Sequence, residues 1–362
     1  MSSSRVGEFF VRGVTAGSSR ALRRPAKSSS GLDSDAMKAI VIDEPGDERC
    51  LQLGRIDPPE IRPEAIRIEI HAAGVNRADL LQRQGFYPPP AGAPTTLGLE
   101  CAGVVSELGA GVDAFALGDR VMALLPGGGY AEEAVVDAGS VMALPNALSF
   151  EEGAGLSETL LTVFSNVFQL GGLREGGSVL VHGGGSGIGT TTIDLVKRAG
   201  GQVIATVGSD EKVQRCLDLG ADVVANYREE DWSAVARSAT QDRGVDIVLD
   251  SIGGTYLEGN MAALAQEGAL VLIGLMGGAK AEISLGMLLS RRLRVIGSTL
   301  RTRADSEKRA LVEAFLARFG ADLAAGEIRP VLHRVFPLAE AAEAHRMLKA
   351  SSHFGKVVLA VR

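Results

Sequence analysis

A glycine-rich turn after a short apolar run contains the residues in this chain that are best suited to binding a phosphate. Residues 179–189 read VLVHGGGSGIG, so three glycines separate an apolar strand pattern from a helical pattern. Glycine lets a backbone approach a ligand closely, and free N–H groups at a helix N-terminus attract anions. The pattern predicts a dinucleotide site, although a structural turn that needs glycine is the alternative. The candidate contacts are Gly184, Ser186, Gly187, Ile188 and Gly189.

The end of the next predicted strand distinguishes between two nicotinamide cofactors. An Asp or Glu there binds the ribose 2′-OH of NAD, whereas a cation accommodates the 2′-phosphate of NADP. This chain has Ser209 at the strand end and Lys212 three residues later, with Asp210 and Glu211 between them. In the alternative reading, Ser209 only caps a helix and Lys212 is a surface residue. We favour NADPH because the strand end lacks a carboxylate, and Tyr227 could flank the ribose phosphate.

Composition and charge exclude several classes of protein. The chain has 362 residues, 46% of them hydrophobic, a length that predicts about two domains. The net charge of −7 argues against a general nucleic-acid-binding surface, and no apolar stretch is as long as a membrane span. Cys50, Cys101 and Cys216 form no CxxC pair, so we expect neither disulfides nor a cysteine metal cluster. A reducing, cytoplasmic location is the simplest expectation.

The first 36 residues differ in composition from the rest. They are rich in Ser, Arg and Gly, and they contain a single acidic residue before Asp33. Three interpretations stay open: an organelle transit peptide (mitochondrion or plastid), a disordered tail, or a true start at Met37. We expect disorder in every case and leave the segment out of the fold prediction.

Two patterns of secondary structure follow this segment. Residues 37–155 contain short strands punctuated by Pro and Gly, which predicts a β-rich, barrel-like domain. Residues 156–303 alternate strands and helices, which predicts an α/β fold with a doubly wound parallel sheet of six strands. Residues 304–362 contain two helical patterns and a last strand, 356–361, that we expect to return to the first domain. The six strands are predicted at 178–182, 202–207, 222–225, 245–250, 269–274 and 294–298, with helices such as 210–219, 256–265, 306–319 and 338–349.

A series of short motifs runs from residue 76 to residue 278. They are NRADLLQRQG at 76–85, YPPP at 87–90, LGLE at 97–100, ALLPGGG at 123–129, HGGGSGIG at 182–189, NYREED at 226–231, DSIGG at 250–254 and GLMGG at 274–278. In this order they resemble the zinc-free quinone oxidoreductases of the medium-chain dehydrogenase/reductase superfamily. The resemblance covers residues 37–362 and is closest to the subgroup named for a tumour-suppressor-inducible NAD(P)H quinone oxidoreductase.

The resemblance implies a GroES-like substrate domain, made of residues 37–155 and 304–362, and a Rossmann NADPH-binding domain, residues 156–303. It also implies that no metal is bound. Zinc-bearing members have a Cys where this chain has Asn76, and a His where it has Leu99. A catalytic zinc needs three protein ligands, and two of the expected positions hold an amide and an apolar side chain.

The resemblance further places Asn76 and Tyr87 at the substrate and the nicotinamide. A quinone or enone that accepts hydride develops negative charge on oxygen, which a hydrogen-bond donor stabilises. Tyr87 would donate to that oxygen, and Asn76 would orient the ring or the substrate. Alternatively, Asn76 satisfies a turn and Tyr87 packs on the neighbouring prolines. The other implied cofactor contacts are Thr162, Ile252, Gly274 and Met276.

These observations predict an NADPH-dependent, zinc-free quinone oxidoreductase that transfers hydride from NADPH to a quinone. Two alternatives stay open: a reductase of activated C=C bonds in enals or enones, and a non-catalytic NADPH-binding protein. The expected partner is a small-molecule quinone or enone, with neither nucleic acid nor a membrane. The resemblance also implies a homodimer formed through the edge of the cofactor sheet, with residues 293–298 as the candidate edge strand.

Overall fold

The computed structural model describes residues 36–362. The three interpretations of the N-terminal segment concern residues 1–36, which lie outside the described residues except for Ala36. The strands are β1 (Met37–Val41), β2 (Gln52–Ile56), β3 (Ala65–Val75), β4 (Glu100–Leu108), β5 (Arg120–Leu124), β6 (Glu133–Asp137), β7 (Val141–Ala143), β8 (Ser178–His182), β9 (Gln202–Val207), β10 (Val223–Asn226), β11 (Val245–Asp250), β12 (Leu264–Leu272), β13 (Arg294–Gly297), β14 (Leu332–Pro337) and β15 (Lys356–Ala360). The helices are α1 (Arg77–Arg83), α2 (Phe150–Ala154), α3 (Ser157–Val163), α4 (Gly187–Arg198), α5 (Asp210–Asp218), α6 (Trp232–Ala239), α7 (Leu257–Ala263), α8 (Leu285–Ser290), α9 (Asp305–Ala324) and α10 (Ala341–Ala350).

Strands β8 to β13 form a six-stranded sheet in the order β10-β9-β8-β11-β12-β13. Each neighbouring pair is parallel, which confirms the predicted doubly wound sheet. All five residues of β8 are buried, as expected for a short apolar strand covered on both faces. The order of the strands reverses between β8 and β11, and ligands of such sheets bind at the carboxyl ends of the strands near this point.

The second sheet has the order β14-β15-β3-β4-β5-β7, with β6 paired to β3. It is the GroES-like sheet. Ile66, Ile68 and Ile70 alternate along β3 and are all fully buried, which fits the two-residue period of a strand. The C-terminal strand β15 pairs antiparallel with β3, and Val357 lies opposite Val75. The end of the chain therefore completes a sheet that begins some 280 residues earlier in the sequence.

The two sheets share a continuous hydrophobic cluster. It includes Ala72 and Met122 beneath the GroES-like sheet and Val179 and Ile247 beneath the parallel sheet. Within it, Phe164 packs edge-to-face on Phe315 with ring centroids 5.7 Å apart, which joins the π-helical turn after α3 to α9. In residues 36–362 no helix is both long enough and apolar enough to cross a membrane.

Some predicted boundaries were wrong. The helix predicted at 256–265 ends at Ala263, and the strand predicted from residue 269 begins at Leu264. Between Val245 and Ile247 the register of β11 against β12 shifts, because a bulge that includes Glu267 at a φ of +63° inserts extra residues. Residues 261–265 read MAALA, and so short an apolar run has no period that distinguishes helix from strand. The prediction for residues 304–362 did not include β14, and α9 extends to Ala324 instead of ending at residue 319.

Candidate cofactor and substrate site

The glycine turn between β8 and α4 is tight for two separate reasons. Gly183 has a φ of +74°, a conformation that other L-residues rarely adopt. Gly184 has ordinary backbone angles, but a Cβ there would lie 2.8 Å from the Ala205 Cβ and 3.1 Å from the Cys216 Sγ. Strand β9 and helix α5 therefore pack too closely against Gly184 for a side chain there. The backbone of the turn stays accessible to a ligand.

The start of α4 leaves a backbone donor free for an anion. Ser186 is the N-cap residue, and its Oγ accepts a hydrogen bond from the Gly189 N–H at 3.0 Å. The Thr190 N–H donates to the Ser186 carbonyl oxygen at 2.9 Å. Ser186 also forms a parallel β-bridge with Gly355, which turns the Gly187 N–H toward the Gly355 carbonyl oxygen. The Ile188 N–H remains in the first turn, and a pyrophosphate suits it and the helix dipole. The backbone at this turn therefore fits a dinucleotide.

The loops after β11 and β12 lie against each other at the same edge of the sheet. The Gly277 N–H donates to the Ile252 carbonyl oxygen at 2.6 Å, and the Met276 N–H donates to the Ser251 carbonyl oxygen at 3.2 Å. A Cβ at Gly274 would lie 2.8 Å from the Ser251 carbonyl oxygen. The predicted contacts at 252, 274 and 276 are thus brought together beside the point where the strand order reverses.

The carboxyl end of β9 is surrounded by Ser209, Lys212 and Tyr227. Ser209 is the N-cap of α5, and its Oγ accepts a hydrogen bond from the Lys212 N–H at 3.4 Å. The Lys212 Nζ donates to the Ser351 carbonyl oxygen at 2.8 Å. The Tyr227 ring lies over the backbone of Gly208, where a Cβ would collide with the phenol oxygen. The structure brings these predicted residues to one place, and it also shows that Ser209 caps a helix.

The acidic residues beside this strand end are engaged elsewhere. Asp210 accepts a hydrogen bond from the Asn226 amide at 2.9 Å, and Glu211 lies 3.7 Å from the Arg215 guanidinium. Burial lowers the pKa of Lys212, and the charges of Arg215 and Arg228 lower it further, whereas the charge of Glu211 raises it. Three cations thus lie around the strand end together with the exposed Glu211, while Asp210 is hydrogen-bonded to Asn226. The balance of charge favours an anionic group there.

His182 at the end of β8 belongs to a buried structural network. Its Nδ1 lies 3.0 Å from the Thr206 Oγ1, and its Nε2 lies 2.7 Å from the Asn260 Oδ1. The Asn260 amide in turn donates to Asp250 at 2.9 Å. Burial lowers the pKa of His182 to about 4, so the ring stays neutral at physiological pH. The network ties three strands together beneath the turn and leaves no imidazole nitrogen free for proton transfer.

Asn76 is held by a buried ion pair. Its Nδ2 donates to the Glu100 Oε1 at 2.9 Å, and its Oδ1 accepts a hydrogen bond from the Lys356 Nζ at 2.7 Å. Lys356 and Glu100 are 2.7 Å apart, and their side chains are 4% and 0% exposed. Both polar groups of the amide are therefore fixed by side chains instead of by a turn. Sequence reasoning missed Lys356, which gave no signal beyond starting the last strand.

The same lysine connects this network to the glycine turn. A Cβ at Gly187 would lie 2.5 Å from the Lys356 Cδ and 3.3 Å from the Thr159 Cγ2. The Gly355 N–H donates to the Gly185 carbonyl oxygen at 2.8 Å. The N-terminus of α4, the first turn of α3 and the start of β15 consequently meet at one point. This contact joins the expected cofactor side of the site to the expected substrate side.

Glu158 and Thr162 face each other on α3, one helical turn apart. The Thr162 hydroxyl donates to the Glu158 Oε1 at 3.2 Å, and the Glu158 backbone N–H donates to the Glu100 Oε2 at 2.9 Å. Burial raises the pKa of Glu158 to about 7, and the charge of Glu100 adds to the increase. Thr162 was predicted from the sequence, whereas Glu158 was missed because a lone Glu in a helical pattern carries no sign of its surroundings.

Tyr87 lies beside a buried arginine that is 214 residues away in the sequence. The Arg301 guanidinium carbon is 5.4 Å from the centre of the Tyr87 ring, and its Nε donates to the Pro126 carbonyl oxygen at 2.8 Å. Arg301 is 5% exposed, and its Nη2 has no hydrogen-bond partner among the described residues. Burial raises the pKa of Tyr87, so the phenol remains a hydrogen-bond donor. A phenol and a free guanidinium N–H suit an oxygen that carries negative charge.

The donor set at the expected zinc position does not suit a metal ion. Asn76 and the apolar Leu99 stand there, and the Lys356 ammonium already lies between Asn76 and Glu100. Within residues 36–362, no three His, Cys, Asp or Glu side chains are grouped to hold a metal. Two surface hollows of about 400 and 620 Å³ lie elsewhere, lined by residues such as Arg309 and Asp43, and neither includes a predicted site residue.

Two family models match the chain. Residues 62–146 match the alcohol dehydrogenase GroES-like domain, and residues 219–359 match a family described as zinc-binding dehydrogenase. Among curated proteins, the quinone oxidoreductase of Rattus norvegicus is 30% identical over 89% of this chain and 97% of its own length. The quinone oxidoreductase of Salmonella typhimurium is 33% identical over 87% of this chain and 96% of its own length.

Three solved structures show how far the likeness extends. An NAD-dependent alcohol dehydrogenase aligns with a TM-score of 0.79 at 33% identity, covering 90% of this chain and 100% of its own. A mycobacterial protein complexed with NADPH aligns with a TM-score of 0.79 at 29% identity, with the same coverage. The CurK enoyl reductase aligns with a TM-score of 0.80 at 26% identity, covering 90% of this chain and 99% of its own.

Proposed function

The chain belongs to the zinc-free, quinone oxidoreductase-like group of the medium-chain dehydrogenase/reductase superfamily, and from this premise we propose that it reduces quinones with NADPH. Membership makes it an oxidoreductase with a nicotinamide-dinucleotide-binding fold. The choice of NADPH over NADH and the choice of a quinone as acceptor are the steps that go beyond membership. Each rests on a different part of the site.

The choice of NADPH rests on the charges around the end of β9. Ser209, Lys212 and Tyr227 surround the strand end, where no carboxylate stands to bind a ribose 2′-OH. Asp210 is bonded to Asn226, and Lys212 with Arg228 supplies the cations for a 2′-phosphate in excess of the single charge of Glu211. In this arrangement the N-terminus of α4 holds the pyrophosphate. The loops at Ile252, Gly274 and Met276 would line the path toward the nicotinamide.

The choice of a quinone rests on the polar groups at the other side of the site. When bound, the reduced nicotinamide supplies the hydride. Tyr87 donates a hydrogen bond to the acceptor oxygen on which charge develops, and the free Nη2 of Arg301 stabilises the same charge. Asn76, fixed by Glu100 and Lys356, orients the nicotinamide or the acceptor. Such a site needs an acceptor that is already electrophilic.

Initial rates on a small panel of acceptors test the proposal. We expect 1,4-benzoquinone and an ortho-quinone to turn over with NADPH, and NADH to support much slower reduction. Faster turnover of a medium-chain enal than of either quinone would contradict the quinone assignment. Tight binding of NADPH without turnover of any acceptor would instead support a non-catalytic role.

A reductase of activated C=C bonds is the second candidate. The CurK enoyl reductase is named for that reaction and aligns with a TM-score of 0.80 over 90% of this chain. An enone also develops charge on oxygen when it accepts hydride, so the same Tyr87 and Arg301 would serve it. The enal in the acceptor panel separates the two candidates directly.

We also propose that two copies pair through the edge of the cofactor sheet. Strand β13 is the last strand in the sheet order and, within residues 36–362, has a partner on one side only. Beside it, α8 exposes Leu285 at 68% and Leu289 at 81%, and Val295 on β13 is 37% exposed. An unpaired strand edge next to exposed apolar side chains is a suitable surface for a second copy.

A further inference from the structure

Glu158 is an acidic residue of the site that has no role in the proposed binding of NADPH or of the quinone. Its side chain is partly exposed, whereas the neighbouring Glu100 is fully buried. The Thr162 hydroxyl is its hydrogen-bond partner at 3.2 Å. The Glu158 backbone N–H donates to the Glu100 Oε2 at 2.9 Å, and the other oxygen of that carboxylate accepts a hydrogen bond from the Asn76 amide at 2.9 Å. Glu158 therefore lies beside the buried ion pair that fixes Asn76 and beside Thr162, the predicted neighbour of the nicotinamide.

We propose that Glu158 donates the proton that completes the reduction, an inference that rests on the proposed reductase function. Hydride transfer reduces the quinone by two electrons and leaves a hydroquinone monoanion. The O–H bond of the Glu158 carboxyl then breaks, and a new O–H bond forms on the anionic oxygen, either directly or through the Thr162 hydroxyl. Water reaches the partly exposed carboxylate and returns its proton. The sum consumes NADPH, the quinone and one proton, and yields NADP⁺ and hydroquinone.

The surroundings of Glu158 keep its carboxyl protonated in a large share of molecules at neutral pH. Burial raises its pKa to about 7, and the negative charge of Glu100 adds to this, while Lys356 and the Thr162 hydroxyl act in the opposite direction. A general acid is most effective when its pKa lies near the working pH. The titratable or charged groups around it are Glu100 on β4, Lys356 on β15, Asp79 on α1 and Tyr87 in the loop after α1.

Other buried titratable groups near the site are less suited to this role. Burial raises the pKa of Asp79 to about 6, but its carboxylate is fully buried. It already accepts hydrogen bonds from the Asn76 N–H, the Gly98 N–H and the Tyr130 hydroxyl. Both ring nitrogens of His182 are engaged, and its ring is neutral. Among the described residues, Glu158 has a single side-chain hydrogen-bond partner, and its side chain is partly exposed.

The pH dependence of turnover tests the assignment. The wild-type kcat with NADPH and 1,4-benzoquinone should fall as the pH rises through about 7, because the donor is then deprotonated. Glu158→Gln keeps the shape of the side chain but has no acidic proton. It should lower kcat by about 10²-fold at neutral pH. It should also abolish the fall of kcat with rising pH, which is the high-pH limb of the profile. The affinity for NADPH, measured by fluorescence titration, should not change.

Two further variants sharpen the test. The hydrogen bond from Thr162 lowers the pKa of Glu158, so Thr162→Val should move the limb to higher pH. Glu151→Gln, the same change of carboxylate to amide on the preceding helix α2, should leave both the rate and the limb unchanged. If Glu158→Gln does not fold, Glu158→Asp replaces it. The shorter acid should lower kcat yet keep a limb, and an unchanged kcat would contradict the proposal.

A measurement without turnover separates this inference from the proposed function. The carboxylic-acid C=O band in infrared difference spectra should titrate near pH 7 in the wild type and be missing in Glu158→Gln. A wild type that shows this band but reduces neither quinone nor enal would contradict the reductase function, and with it the donor role. An active enzyme whose limb survives Glu158→Gln would contradict the donor role alone.

Discussion

Lys356 and Glu100 form an ion pair with almost no contact with water. The two groups are 2.7 Å apart, and the remaining carboxylate bonds come from the Asn76 amide and the Glu158 N–H. A buried ion pair is tolerated when its hydrogen bonds are this complete. The pair holds the Asn76 amide in place at the candidate substrate position, and it lies against the α4 N-terminus that would bind the pyrophosphate.

Removing one partner should therefore be costly. Lys356→Met leaves Glu100 buried and unpaired, and we expect it to lower the free energy of unfolding by about 3–5 kcal/mol. Lys349→Met removes a lysine that is 54% exposed on α10, and it should change the free energy of unfolding by less than about 1 kcal/mol. Urea denaturation measures both, and adding Glu100→Gln to Lys356→Met should recover part of the loss. Equal effects of the two lysines would contradict the structural role of the pair.

Lys212 decides the cofactor in the proposed function. Lys212→Glu should raise the KM for NADPH about tenfold or more, because a hydrogen bond to a charged group is worth about 1.5–3 kcal/mol. The KM for NADH should change little, since NADH has no 2′-phosphate. Lys38→Glu, on the exposed side of β1, is the matched control and should affect neither. Parallel increases for both cofactors would count against NADPH.

At the scale of elements, the turn between β8 and α4 determines how closely a cofactor can approach. Gly183 supplies the positive φ, while Gly184 has to lack a side chain because β9 and α5 pack against it. The sequence predicted this strand at its observed bounds, 178–182, with the turn and a helix directly after it, since all the signals lie within some twenty residues. The bulge in β12 was not predictable in the same way, because it depends on pairing with β11.

Gly184→Ala tests the turn. The new Cβ would lie 2.8 Å from Ala205 and 3.1 Å from Cys216, so the turn has to move at a cost of about 1–3 kcal/mol. We expect weaker binding of NADPH in a fluorescence titration and a lower Tm. Gly286→Ala, where a Cβ meets nothing within 4 Å, is the control and should keep wild-type affinity. Wild-type affinity in Gly184→Ala would show that the close packing is not needed.

At the scale of the whole molecule, the chain crosses between its two sheets more than once. The last strand, β15, pairs with β3, and α9 packs its aromatic side chains on the segment after α3. These crossings bring the carboxyl edge of the parallel sheet against the residues of the GroES-like domain. The candidate site consists of side chains from both parts, and neither part contains it alone.

The exposed apolar surface of α8 gives the test of pairing between copies. Leu289→Glu places a charge on a residue that is 81% exposed, and it should convert a dimer into a monomer in sedimentation equilibrium. Leu117→Glu, at a residue 66% exposed in the first domain, should leave the dimer intact. A monomeric wild type, or a dimer that tolerates both changes, would contradict pairing through β13.

The amino-acid sequence by itself determined the features that arise within a few neighbouring residues. These are the glycine turn, the caps at Ser186 and Ser209, the strand end without a carboxylate, and the parallel sheet that follows from alternating strand and helix patterns. Local spacing and backbone preference are sufficient for each of them, because hydrogen bonds within turns and helices join near neighbours.

Only the tertiary structure decided the surroundings of the polar groups that are expected to do chemistry. Lys356 lies 256 residues from Glu100 in the sequence, and Arg301 lies 214 residues from Tyr87. The pKa of Glu158 depends first on burial and on the Glu100 carboxylate of β4, and less on the hydrogen bond from Thr162 on its own helix. Charge interactions and desolvation act through space, so the spacing of residues along the chain could not reveal them.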